Sequence, residues 1–240
     1  MNSNYERTLD ENFEKALNLC STPHSYDDLI SLLKTGNIPE KQYAALMLEE
    51  LKTKEDAHTF LSNLINCDGK IREAVAQKFL EFTDNPEYCK YFADYPDILA
   101  KSTIDINANI SRMVIEGLEK LKDFKNFGEK YSENLVKYIN EAFEGLDKIV
   151  FRDKKYTINK QLFKLYWCLE GLKDYYKYLD KDTLSDILKK SMAQTEYTVR
   201  EKAAQIIKQL PKDEFEDLYK LAYADKNYYV KQIMGVNMKG

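Results

Sequence analysis

An apolar stripe recurs in segments along the chain at the spacing of an α-helix. When five segments are aligned on their last large apolar residue, three apolar columns appear, separated by four and then three residues. This spacing is typical of one buried face of an α-helix. The columns contain Ala44, Val75, Val114, Leu165 and Ala203; Leu48, Phe79, Leu118, Leu169 and Ile207; and Leu51, Phe82, Leu121, Leu172 and Leu210.

Each of these segments follows another amphipathic segment, and such pairs predict helical hairpins. In the first pair, Ser25 is a candidate N-cap, Gly36 a stop and Pro39 a first-turn residue of the second helix. With only 8 glycines and 5 prolines in 240 residues, long helices are favoured over a turn-rich β-protein. We therefore expect an all-α fold of about six hairpins over residues 25–240. Residues 1–24 would supply a capping helix of the same single domain.

A basic residue recurs near the start of these second helices. Lys41 and Arg72 are 31 residues apart, as are Arg200 and Lys231, while Arg112 lies one position out of register. The segments IREAVAQKFLEF, VREKAAQIIKQL and YYVKQIMG resemble the second helix of a HEAT-like repeat, in particular the short HEAT-type repeats of bacterial proteins, which include bilin lyases. The resemblance covers residues 25–234. It implies a right-handed α-α superhelix, a HEAT-like solenoid, whose second helices line the concave side.

The basic column has two interpretations. Arg72, Arg112 and Arg200 could each pair with the acidic turn of a neighbouring repeat and fix the stacking, or they could contact a partner. Both interpretations stay open at the level of sequence.

A second candidate feature is a pair of large aromatic residues where sister repeats carry polar ones. Trp167 falls in the column of Gln77 and Gln205, which we expect to face solvent, and Phe163 lies one turn before it. Exposed aromatic side chains often dominate binding interfaces. The predicted partner-binding residues are therefore Phe163, Trp167, Gln77 and Gln205 together with the three arginines. Alternatively, the long connection 144–157 folds over both rings and makes them part of the core.

We identify no catalytic residue, metal site or cofactor. Only two histidines, His24 and His58, are present, and no Cys/His pattern has the spacing of a zinc site. The four scattered cysteines fit a reducing compartment. Without a signal-peptide pattern or a long apolar segment, we expect a cytoplasmic protein with no membrane contact.

The charge balance bears on the choice of partner. With 36 basic and 40 acidic residues, the net charge is −4, whereas nucleic-acid binders gain most of their affinity from cationic surfaces. We therefore expect a non-enzymatic scaffold or adaptor that binds a protein or peptide on its concave face. One alternative is a DNA glycosylase that resembles the HEAT-like alkylpurine DNA glycosylases. In that case Trp167, Asp174 and Arg200 would be the side chains that reach a damaged nucleotide. Another is a chaperone resembling the chromophore lyases.

Overall fold

The computed structural model describes residue 14 and residues 17–147 and 155–235, without the side chains of 155–159. Most of these residues are helical and none of them forms a β-strand, which confirms the predicted all-α class. Its Cα packing divides it into two units, residues 1–121 and residues 122–240.

Unit 1, residues 1–121, contains seven described α-helices after Ser25. They are α1 (Tyr26–Thr35), α2 (Ile38–Met47), α3 (Lys54–Leu61), α4 (Gly69–Phe82), α5 (Pro86–Phe92), α6 (Pro96–Thr103) and α7 (Ala108–Leu118). The second helices α2, α4 and α7 pack side by side in one layer, and α1, α3 and α5 pack in a second layer.

Unit 2, residues 122–240, repeats this two-layer arrangement. Its described helices are α8 (Lys125–Asp147), α9 (Lys155–Leu172), α10 (Lys181–Met192), α11 (Tyr197–Ile207), α12 (Glu216–Ala224) and α13 (Tyr228–Ile233). The second helices α9, α11 and α13 form one layer, while α10 packs against α12 in the other.

Capping hydrogen bonds explain where α1 and α2 begin. Ser25 Oγ accepts a hydrogen bond from Asp28 N at 3.2 Å, and Asp28 Oδ2 accepts one from Ser25 N at 2.9 Å. Asn37 and Glu40 form the same reciprocal capping box at the start of α2, with Pro39 in its first turn. Both boxes satisfy backbone N–H groups that have no partner within the helix.

The predicted apolar columns form the core. All fifteen of their residues are buried, so the three columns identify the inner face of the five aligned second helices, α2, α4, α7, α9 and α11. Val75 and Phe79 are fully buried, as the hairpin prediction requires.

Two features of unit 1 differ from the prediction. Helix α2 ends at Met47, although its apolar spacing continues to Leu51, because Leu48 has an extended backbone with a ψ of 117°. Beyond this end, the Lys52 N–H donates to the hydroxyl of Tyr26 at 3.0 Å. The short helix α5 was not predicted. Asn85 caps it and Pro86 starts it, but its seven residues are too few to produce a clear periodicity.

The connection between α8 and α9 is also shorter than predicted. Helix α8 extends to Asp147 and α9 begins at Lys155, so both helices run into the expected 144–157 loop. Residues 148–154 lie outside the described residues, as does most of the predicted capping segment 1–24. The single-domain organisation, the handedness of the superhelix and the number of hairpins stay predictions. Within the described residues, no helix has both the length and the apolar character to cross a membrane.

Candidate interaction surface

A groove crosses the outer face of the second-helix layer in unit 1. It has a volume of about 540 Å³ and is formed by side chains of α2, α4 and α7. We call it the α2–α4–α7 groove. Its lining residues are Gln42, Leu46, Lys70, Glu73, Ala74, Gln77, Asn109, Arg112, Met113 and Glu116.

The groove follows from the register of the buried columns. Because those columns turn towards the first-helix layer, two other columns of the same helices turn outwards. The outward columns in unit 1 are Gln42, Glu73 and Arg112, and Leu46, Gln77 and Glu116. Gln77 and Glu116 are exposed, as expected for this column, and Leu46 is 39% exposed.

The charges of the groove are balanced. Lys70 and Arg112 contribute two cations, and Glu73 and Glu116 contribute two carboxylates. Arg112 is exposed, and its Nη1 donates to Asn109 Oδ1 at 3.0 Å. Amide side chains that both donate and accept hydrogen bonds therefore lie beside charges of both signs.

The other two arginines of the basic column are held in ion pairs. Arg72 Nε lies 2.6 Å from Asp105 Oδ2, and Arg200 Nε lies 2.6 Å from Asp225 Oδ2. Each aspartate belongs to the turn before the next second helix. Both arginines thus join successive hairpins, which is the structural interpretation of this column.

Hydrogen bonds to backbone groups complete each pair. Arg72 Nη1 also donates to the carbonyl of Cys67, and Arg200 Nη1 donates to the carbonyls of Gln194 and Thr195 at 2.9 and 2.8 Å. The hydrogen bond with Asp105 raises the pKa of Arg72 above its ordinary value. These guanidinium groups are therefore engaged within the repeat array.

Asp225 illustrates the electrostatics of these pairs. Burial would raise the pKa of its carboxyl, but hydrogen bonds from Arg200 and from the Asn227 N–H outweigh burial and hold the pKa below its ordinary value. Its ionised form is consequently favoured in the folded protein.

The aromatic pair of α9 does not lie on an open surface. Trp167 is 5% exposed, and its ring contacts Phe163 and Tyr166 at centroid distances of 6.0 and 5.0 Å. The expectation that this column faces solvent is therefore wrong for Trp167, while Phe163 and Gln205 are half-buried. Gln205 Oε1 accepts a hydrogen bond from Lys202 Nζ at 3.5 Å.

Of the predicted partner-binding residues, the α2–α4–α7 groove brings together Gln77 and Arg112.

Glu170, three residues after Trp167, belongs to an ion pair that the sequence did not predict. Lys202 Nζ of α11 is 2.6 Å from Glu170 Oε2 of α9. Burial would raise the pKa of Glu170, but the Lys202 contact lowers it below its ordinary value. No sequence spacing indicates this pair, because its members belong to different hairpins.

The residues considered for catalysis are engaged elsewhere. The His24 ring packs against Tyr43 and His58 packs beside Tyr95. Of the three residues considered for a glycosylase, Trp167 is buried and Arg200 is bound to Asp225. In the part of the chain that the structure describes, no group of three or more His, Cys, Asp or Glu side chains is placed to hold a metal ion.

The sequence matches no protein-family model and no curated protein. Similar solved structures include two engineered proteins, 13% and 14% identical and each with a TM-score of 0.45. These matches cover 89% of this chain and 95% and 97% of the engineered chains. Another is the archaeal HEAT-like repeats protein from Thermococcus onnurineus NA1, 11% identical with a TM-score of 0.44, covering 89% of this chain and 79% of that one. Similarity at this level assigns neither a family nor a function.

Proposed function

We propose that this helical repeat protein is a non-enzymatic scaffold that binds a protein or peptide in the α2–α4–α7 groove. The observation that carries the proposal is the alignment of two outward columns, from three successive second helices, along one open groove. Repeat arrays use their continuous side-by-side helices to present such extended binding surfaces.

The chemistry of the groove suits a polypeptide. The amides of Gln42, Gln77 and Asn109 can pair with both the N–H and the C=O groups of a peptide backbone. Leu46 and Met113 offer apolar contact, and the flexible methionine side chain adapts to different partner side chains. Because the groove is lined by side chains of both charges, it favours a partner that also carries both positive and negative side chains.

A nucleic-acid partner is disfavoured by the same lining. A phosphate backbone requires an excess of cations, whereas Lys70 and Arg112 are matched by Glu73 and Glu116. The net charge of −4 adds a repulsive term over the whole chain.

Site-specific photo-crosslinking in the source cell tests the proposal. A benzophenone amino acid would replace exposed Gln77 in the groove or, as a matched control, exposed Asp97 on α6. We expect a discrete protein adduct from position 77 that is absent from position 97 and is weakened by Leu46→Asp. Adducts that disappear on nuclease treatment, or equal labelling from both positions, would contradict the proposal.

A further inference from the structure

In the Arg72–Asp105 and Arg200–Asp225 pairs, the two residues occupy the same positions relative to the helices they join. In each pair the cation is the fourth residue of a second helix, and the aspartate lies two residues before the N-cap of the next second helix in the same layer. Between the first and second hairpins the cation is present as Lys41, the fourth residue of α2. The position two residues before the next N-cap, however, is Asn66. This junction keeps the cation and lacks the carboxylate.

A polar pocket of about 470 Å³ lies at this junction. Two lysines, a histidine, hydroxyl groups and amides line it, and no acidic side chain does. We call it the Lys41 pocket. Its lining residues are Leu33, Lys34, Lys41, His58, Thr59, Ser62, Asn63, Ile65, Asn66 and Cys67.

The lysine is held in place by a buried amide. Lys41 Nζ donates to Asn63 Oδ1 at 3.0 Å, and Asn63 is 3% exposed. Among the described residues, neither Lys41 nor Lys34 has a carboxylate partner, unlike Arg72 and Arg200 at the sister junctions. An amide oxygen leaves the ammonium charge uncompensated.

Backbone carbonyls at the ends of α1 and α3 would oppose an anion, but side chains already engage them. Asn63 Nδ2 donates to the carbonyls of Leu33 and Thr59 at 3.1 and 2.9 Å, and Ser62 Oγ donates to the carbonyl of His58 at 2.7 Å. The two ammonium groups of the pocket therefore lack a carboxylate partner, while the nearby backbone carbonyls already accept hydrogen bonds from side chains.

We propose that the Lys41 pocket binds a carboxylate ligand, which occupies the position that an aspartate side chain fills at the sister junctions. The ligand carboxylate would pair with Lys41, and Lys34 supplies a second cation at the rim. Such charge-assisted hydrogen bonds are stronger than those between neutral groups. The carboxylate can come from a small organic acid or from an acidic side chain of a polypeptide.

Acetate is the probe for the chemistry, titrated into the intact protein in a chloride-free buffer. Chemical shifts of the Asn63 and Asn66 backbone amides would report binding.

The decisive variant is Asn66→Asp, which restores the sister-repeat carboxylate at an exposed position with a positive φ of 58°. Aspartate tolerates that conformation almost as well as asparagine. Lys90→Met, at an exposed lysine paired with Glu87, is the charge-matched control for Lys41→Met.

We expect saturable shifts with acetate, weakened at least tenfold by Asn66→Asp and by Lys41→Met and unchanged by Lys90→Met. Succinate and a blocked tripeptide with one aspartate distinguish the two sources, since the natural class should bind more tightly than acetate. Non-saturating shifts, shifts that survive Asn66→Asp, or tighter binding of inorganic phosphate than of any carboxylate would overturn the proposal.

Discussion

Arg72 of α4 and Asp105 of the turn before α7 form a bidentate ion pair, with Nε 2.6 Å from Oδ2 and Nη2 3.1 Å from Oδ1. Their side chains are 18% and 8% exposed. Asp105 Oδ1 also accepts from the Asn107 N–H at 2.8 Å, so the pair fixes both the register of two helices and the start of one.

Removing one partner of this pair should destabilise the protein. We expect Asp105→Ala to lower the free energy of unfolding by about 3 kcal/mol, because it leaves a largely buried guanidinium without its counter-ion. A double-mutant cycle with Arg72→Ala, measured by urea denaturation, isolates the coupling between the two side chains. Glu87→Ala removes the partner of exposed Lys90 and should change nothing measurable. Equal effects at both sites would refute a structural role for Arg72.

Close helix packing in unit 1 depends on Gly117. A Cβ atom there would lie 2.6 Å from Phe79 Cε1, and the Phe79 ring is fully buried. Gly117→Ala should therefore cost about 1–3 kcal/mol, which exceeds the gain of about 1 kcal/mol in helix propensity. Gly69→Ala is the control, since a Cβ atom at Gly69 would have no neighbouring atom within 4 Å.

The same contact predicts non-additivity. Phe79→Leu removes the ring atoms that Gly117→Ala meets, so the double variant should be more stable than the sum of the single changes implies. Phe79→Ala alone should cost about 3–5 kcal/mol through the cavity it leaves. Strict additivity in thermal and urea unfolding would argue against the close approach of α4 and α7.

Acid should weaken the Arg200–Asp225 pair. Because the folded-state pKa of Asp225 is lowered, its stabilising contribution is present above the ordinary value of 3.8 and is lost as pH falls through the lowered pKa. The difference in unfolding free energy between wild type and Asp225→Asn should be large at neutral pH and shrink below that value. Asp213→Asn, at an exposed position, should show no such difference. A pH-independent difference would exclude this electrostatic origin.

The single tryptophan reports on unit 2. Since Trp167 is buried, its fluorescence should resist quenching by acrylamide until the protein unfolds. Phe163→Ala with Trp167→Ala should lower the free energy of unfolding by several kcal/mol, mainly through lost packing of the larger ring at about 3–5 kcal/mol. Unchanged stability together with lost partner capture would instead identify both rings as an exposed anchor.

We expect no tight DNA binding and no excision of alkylated bases. In the groove Glu73 and Glu116 cancel Lys70 and Arg112, so counterion release provides little affinity. The double variant Glu73→Gln with Glu116→Gln leaves two unbalanced cations and should bind DNA more tightly than wild type in a gel-shift assay at low salt. A salt-dependent shift by wild type that the variant does not exceed would reverse this ranking.

Most of the helices, and the inner faces of the five aligned second helices, could be predicted from local sequence alone. Capping residues such as Ser25, and apolar residues spaced by three and four, act within one helix and can be recognised without knowledge of the fold. The buried columns around Val75 and Phe79 could therefore be predicted in full.

Which outward positions are exposed, and which side chains pair with each other, depends on the tertiary structure. Gln77 and Trp167 occupy the same column, yet the first is exposed and the second buried, because solvent exposure depends on what packs over a helix and not on its own register. Likewise the choice of Asp105 as the partner of Arg72, 33 residues away, depends on how hairpins stack. Local periodicity fixes a helix face, whereas contacts between hairpins depend on packing that no single helix encodes.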